Sequence, residues 1–203
     1  MKKLWIDTET TGRNSRKHSL IQLAGIVEID GVVKDEFSIR FRPFPGEFVD
    51  DQAMAVNRVD RVDRAAMMEY PHAHESFSAF CRILERHMDP FDKRDKFTVY
   101  AFNAGFDEQF LRQMFAKCGS KFFGAYFWWP WVDAAGSIHE YLCECGRRPL
   151  MLNGKLLTMA EALHVPLPEN LHDALADIRL TRECWLKARD LSTRHILATH
   201  GAA

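Results

Sequence analysis

The chain has 203 residues, a formal net charge of −1, 47% hydrophobic and 27% charged residues. That length suits one domain, and so ordinary a composition excludes disordered, collagenous and coiled-coil chains. With charge so near zero, any hold on a polyanion must come from local basic clusters and a metal site, not from a broad cationic face. The opening Met-Lys-Lys-Leu-Trp-Ile meets an acid at Asp7, too soon for a signal-peptide core, and no later run approaches ~18 apolar residues, so a cytoplasmic protein without a membrane partner is expected. Five cysteines at irregular spacing give no disulfide framework, and Cys143 with Cys145 lacks the second pair that a zinc site needs.

Residues 3 to 8 read as a short buried strand that runs into the polar turn Thr10-Thr11-Gly12-Arg13-Asn14-Ser15. Runs over 20–29 and 32–42 flank Asp30-Gly31, a dipeptide suited to a tight hairpin, so three consecutive antiparallel strands are expected. Residues 43–72 read as loop and then short helical pieces. Phe77, Phe80, Cys81, Leu84 and Met88 have helical spacing and predict a helix over 75–88. A buried strand over 97–102 then leads through Asn103-Ala104-Gly105 into a helix from about Phe106 to Lys117. Helices near 133–144, 156–164 and 173–190 follow, and 191–203 reads as a frayed tail after a single domain over 1–190. The outline is α/β: a mixed sheet with helices around it.

Asp7-Thr8-Glu9 places two carboxylates at i and i+2, which on a strand project from one face, ~6 to 7 Å apart along the backbone. Like charges so placed raise each other's pKa and destabilise the fold unless a cation neutralises them. Two solvated loop acids are the plainer reading of that pair alone. Asp107 opens the helix after the 97–102 strand, where a carboxylate also suits the helix dipole. His172 stands five residues before Asp177, ~140° around an ideal helix, so it must act from the helix start or from the loop before it.

The strings Asp7-Thr8-Glu9-Thr10-Thr11-Gly12, Asn103-Ala104-Gly105-Phe106-Asp107 and His172-x-Ala174-x-x-Asp177 resemble, in order and spacing, the three motifs of the DnaQ-like exonuclease family in its histidine-containing DEDDh branch. The resemblance runs from about Leu4 to Trp185. It implies a ribonuclease H-like fold: a mixed five-stranded sheet, its first three strands antiparallel, flanked by helices. It also implies a 3′ to 5′ exonuclease in which Asp7, Glu9, Asp107 and Asp177 hold two divalent cations and His172 is the general base. Four oxygen ligands suit Mg²⁺ or Mn²⁺ better than zinc, and a histidine of ordinary pKa ~6.5 can take a proton near neutrality. Thr10, Thr11 and Gly12 resemble the segment whose backbone meets the terminal nucleotide, with glycine permitting close approach. Arg13, Phe102, Asn103 and Phe106 are expected beside them. Arg13 stands where relatives often carry an apolar residue and Phe102 where many carry histidine, which puts the handling of the terminal base in doubt, not hydrolysis.

The expected partner is single-stranded nucleic acid with a free 3′ end, DNA before RNA, with a polymerase or replication protein as a further partner. A 3′ to 5′ exoribonuclease resembling ribonuclease T or oligoribonuclease is the alternative within the family. A nucleic-acid-binding or polymerase-associated module is the alternative outside catalysis, though no motif acid or histidine is missing. Arg13, Arg16, Lys17 and His18, and separately Arg147, Arg148 and Lys155, are either phosphate contacts or solvated surface. The aromatic stretch 122–131 reads chiefly as core and buried strand, with base stacking as the alternative. Asp133 resembles a family aspartate after the fifth strand, and a helix cap is the favoured role for it.

Overall fold

Every residue from Lys3 to Ile6 is buried, because the strand that holds them, β1 (Lys2–Thr10), has neighbours on both edges and layers on both faces. The computed structural model describes residues 1–51, 64–146, 153–169 and 173–200. β1 pairs antiparallel with β2 (Leu20–Ile29), which pairs antiparallel with β3 (Val32–Arg40). On its other edge β1 pairs parallel with β4 (Thr98–Ala101), followed by the two-residue β5 (Val132–Asp133). The order is β3-β2-β1-β4-β5, a mixed sheet with three antiparallel strands first. Asp30 (φ 51°) and Gly31 (φ 83°) both adopt the left-handed conformation that a two-residue hairpin turn requires.

Among the described residues the helices are α1 (Arg64–Met68), α2 (Ala73–Glu85), α3 (Ala104–Lys117), α4 (Phe123–Tyr126), α5 (Ala134–Glu144), α6 (Leu156–Ala162) and α7 (Ala174–His200). On one face of the sheet Leu4, Ile6, Leu23 and Val27 pack with Phe80 of α2 and Phe110, Leu111 and Phe115 of α3. On the other, Trp5, Ile26 and Tyr100 pack with Ile138 of α5, Met159 of α6 and Ile178 and Trp185 of α7. The period-2 alternation of β1 thus sends Leu4, Ile6 and Thr8 toward α3, and Trp5, Asp7 and Glu9 toward α7.

Several element boundaries differ from expectation. β1 extends to Thr10, so the acidic pair lies inside a strand. α2 stops at Glu85 and Met88 is buried beyond it. Asn103 takes the left-handed conformation (φ 62°), which turns the chain so sharply that α3 starts at Ala104; Asp107 sits within its first turn instead of opening it. The aromatic stretch contributes no long strand: Phe123–Tyr126 is helical, and Phe127 bridges Phe97 outside the named strands. Its core role holds, since Phe123, Tyr126, Phe127 and Trp131 are buried, Phe115 stacking edge-on against the first three. α7 continues past residue 190 to His200, and Ser192 is buried there with its hydroxyl on Glu144. Among the described residues no helix is long and apolar enough to cross a membrane.

α7 is tied to the sheet by charge as well as by its apolar face. Glu28 of β2 is buried and accepts from Lys3 Nζ (2.9 Å) and Arg182 Nε (2.8 Å), while Lys3 also lies 5.1 Å from the centre of the Trp185 ring. Burial alone would push the Glu28 carboxyl up, but the bonds from Lys3 and Arg182 outweigh it and hold the group below its ordinary value. The stabilisation is therefore present above the unfolded carboxyl pKa of ~4.3 and lost as pH falls through the lower folded value. Glu28→Ala leaves Lys3 buried without its partner, and urea denaturation at pH 7 is expected to show a loss of about 3–5 kcal/mol. The gap between variant and wild type narrows as the titrations are repeated toward pH 3.

Candidate active site

The face of β1 that carries Trp5 also carries Asp7 and Glu9, and it meets the first turn of α7, where Asp177 stands. One carboxylate oxygen from each of Asp7, Glu9 and Asp177 lies within 4.8 Å of the others, and all three residues are partly exposed. α7 begins where it does because Asp173 caps it. Asp173 Oδ1 accepts from the backbone N–H of Leu175 (3.0 Å) and Ala176 (3.2 Å), and its carbonyl accepts from Asp177 N (2.9 Å). Asp173 Oδ2 accepts from Gln22 Nε2 (3.2 Å), and Gln22 is the residue of β2 directly opposite Glu9.

The fourth acid approaches from the other layer. Asp107 is 2% exposed, and its Oδ1 accepts from the hydroxyl of Thr8 (2.7 Å), which points away from Asp7 and Glu9. Asp107 therefore stands apart from the trio of converging oxygens, although its charge reaches Asp7. Asp133 accepts from Gly136 N (3.1 Å) and caps α5, the role favoured from sequence, and its charge also reaches Asp107.

Burial, and then the crowding of acids, raises the pKa of Asp7 and Glu9. Asp7 is pushed well above the ordinary carboxylate range, first by burial and then by Asp107, Glu9, Asp177 and Asp173. Glu9 rises to about 8, again first by burial, then through Asp177, Asp173 and Asp107. Burial also raises Asp107, against the lowering effect of the Thr8 hydroxyl and backbone N–H groups. Crowded, partly exposed carboxylates whose oxygens converge fit a hard divalent cation, which binds oxygen donors and relieves the repulsion. Among the described residues this is the one group of three or more acidic, histidine or cysteine ligands placed to hold a metal.

The remaining expected site residues divide into two sets. Asn103 is exposed and Phe102 and Phe106 are half-buried at the β4–α3 junction, Phe102 against the α7-side core and Phe106 against Phe110 (4.9 Å between ring centres). The loop after β1 is bonded largely to itself and to the 44–50 segment. Thr10 donates to Gly12 O (2.8 Å), and Thr11 donates to Phe48 O (2.8 Å) and accepts from Ser19 N (2.9 Å). Space beside Gly12 is filled by the imidazole of His18, which an added Cβ would meet at 2.3 Å. Arg13, Arg16 and Lys17 are exposed. His172, Arg147 and Arg148 lie outside the described residues. Trp128 sits beside Phe97 (backbone bond 2.9 Å), near the level of Lys2 on β1 and so about 16 Å along the strand from Asp7. That places the exposed part of the aromatic stretch away from the acids.

Sequence reasoning missed Asp173 and Gln22. Asp173 had a readable signal, a preferred N-cap residue directly before an apolar helical pattern. Gln22 had none, because its place opposite Glu9 depends on the strand register.

The family profile described as exonuclease matches residues 4–184 of the chain. A sequence search of curated proteins finds no match. Among solved structures, the zinc-bound E. coli exonuclease I–ssDNA complex superposes with a TM-score of 0.70 at 19% identity, over 98% of this chain and 43% of that one. A 3′-exonuclease that recognises the histone mRNA stem-loop gives 0.69 at 15% identity, over 93% and 64%. The nuclease domain of 3′hExo, a DEDDh family member bound to rAMP, gives 0.67 at 15%, over 93% and 92%. The chain spans less than half the length of exonuclease I. These solved structures share the fold of this chain, and with the exonuclease profile matched over residues 4–184 the chain belongs to that exonuclease family.

Proposed function

We propose that the chain removes nucleoside 5′-monophosphates from the 3′ end of single-stranded or frayed DNA, with two divalent cations held by Asp7, Glu9, Asp107 and Asp177 and with His172 as general base. The observation that carries this reading is the convergence of the Asp7, Glu9 and Asp177 oxygens within 4.8 Å of one another. Bound there, Mg²⁺ or Mn²⁺ supplies charge neutralisation, a more acidic water and stabilisation of the leaving oxygen. Water attacks the terminal phosphorus, the P–O3′ bond breaks, and the shortened strand keeps its 3′ hydroxyl. His172 takes the proton of the attacking water from its position ahead of α7. Thr10, Thr11, Gly12, Asn103, Phe102 and Phe106 border the terminal nucleotide, and Arg13 meets a phosphate. DNA is supported by the single-stranded DNA complex of exonuclease I, which covers 98% of this chain. The 3′-exonuclease of the histone mRNA stem-loop supports RNA as the second reading.

The deciding experiment sets matched 3′- and 5′-labelled single-stranded DNA, RNA and duplexes against the protein with Mg²⁺, Mn²⁺ or chelator. The expected result is 3′-terminal release of mononucleotides from single-stranded DNA, abolished by chelator and, with the circular dichroism spectrum unchanged, by Asp7→Ala or Asp177→Ala. Activity that survives either substitution in Mg²⁺ overturns the assignment. His172→Ala is expected to lower kcat by at least about 10²-fold while KM moves little, and an unchanged rate removes His172 as base.

Linkage gives an independent check on the cation. Glu9 at about 8, against an ordinary 4.5, means that the metal-free fold takes up protons and loses stability as pH rises from about 4.5 to about 8. Melting curves in chelator should therefore fall over that range. Mg²⁺ or Mn²⁺ should raise Tm by at least about 3 °C at pH 8 and by less at pH 5. Equal shifts at both pH values count against a cation on this cluster.

A further inference from the structure

Gln22 belongs to none of the motifs that carry the family resemblance, yet it stands directly opposite Glu9 across the β1–β2 ladder. Its side-chain nitrogen donates to Ser38 Oγ on β3 (2.9 Å) and to Asp173 Oδ2 (3.2 Å). Asp173 uses its other side-chain oxygen on the N–H groups of Leu175 and Ala176, and its carbonyl on the N–H of Asp177. One aspartate therefore joins the sheet to the helical turn that carries Asp177. A helix cap alone would need only a serine or an asparagine. A carboxylate can cap with one oxygen and accept from the sheet with the other.

Farther along α7, Arg179 pairs with Glu36 and Arg182 with Glu28 of the sheet. Both lie beyond Asp177. They restrain the helix body, and the Gln22–Asp173 bond acts at the end where the carboxylates meet. Metal ligands need placement within about 0.5 Å, so a helix end free to shift by even a fraction of its 5.4 Å pitch would dissolve the cluster.

We infer that Gln22 and Asp173 are positioning residues: their hydrogen bond sets the start of α7 at the distance from β1 at which Asp177 joins Asp7 and Glu9 around a divalent cation. This rests on the cation reading of the acidic cluster. The test is calorimetric titration of the full chain with Mn²⁺, alongside thermal melting and nuclease kinetics. Gln22→Ala is expected to weaken Mn²⁺ binding about tenfold and to lower kcat, with KM for an oligonucleotide within about twofold of wild type. Gln22→Met, which keeps the length and removes the donor, gives the same result and stands in if the alanine variant fails to fold. The reversed pair, Gln22→Glu with Asp173→Asn, keeps the charge and the cap, lets the asparagine amide donate to the new carboxylate, and should restore most of the affinity.

Wild-type Mn²⁺ affinity in Gln22→Ala and Gln22→Met overturns the inference while leaving the cation reading intact. So does a reversed pair that binds no better than Gln22→Met. A wild-type chain that binds no Mn²⁺, or whose binding survives Asp7→Ala, overturns the cation reading and this inference with it.

Discussion

β1 is covered on both faces, and its two-residue period decides which layer each side chain meets. A slip of one residue would carry Trp5 into the α3 side and present Thr8, not Asp7 and Glu9, to α7. Trp5 opposes that slip most strongly. It is fully buried, with ring centres 4.5 Å from Tyr100 and 5.5 Å from Trp185, in a space shaped for it by β4 and α7. The apolar half of β1 thereby fixes the register on which its acidic half depends.

The acidic half works against the fold. Burial first, and then the charges of the neighbouring acids Asp107, Asp173 and Asp177, push Asp7 and Glu9 above the ordinary carboxylate range. They are held together by groups outside their own repulsion: the Glu28 ion pairs, the Thr8–Asp107 bond and the cap on α7. The ion pairs and the acidic cluster thus occupy opposite ends of β1, while on α7 Arg182 follows Asp177 by little more than a turn. Lys3 and Arg182 both pair with Glu28 at the first end of the strand, and carboxylates converge at the second.

Much of this was legible in the sequence. The i, i+2 carboxylates, the Asp30-Gly31 hairpin and the ordered motifs depend on local chemistry, and the mixed five-stranded sheet follows the family resemblance. What was not legible depends on packing between distant segments. The short β5 and the helical Phe123–Tyr126 arise because the aromatic stretch packs around Phe115, which no periodicity announces. The early start of α3 depends on Asn103 adopting a left-handed conformation, which a strand-then-glycine pattern does not reveal. Asp107 was expected on this helix but at its very start, and its bond with Thr8 depends on how the helix packs against β1, which local sequence does not reveal.

The contact between Gly12 and His18 ties two positions of the β1–β2 loop together. The imidazole occupies the space of a Cβ at position 12, while its Nδ1 accepts from Asn14 N (3.1 Å) and closes the 14–18 turn. Any side chain at 12 must expel that ring and open the turn, whereas a small residue at 18 would vacate room for one. Among sequences that share this loop, positions 12 and 18 should therefore vary as a pair: glycine with a ring, or a larger residue with a small partner.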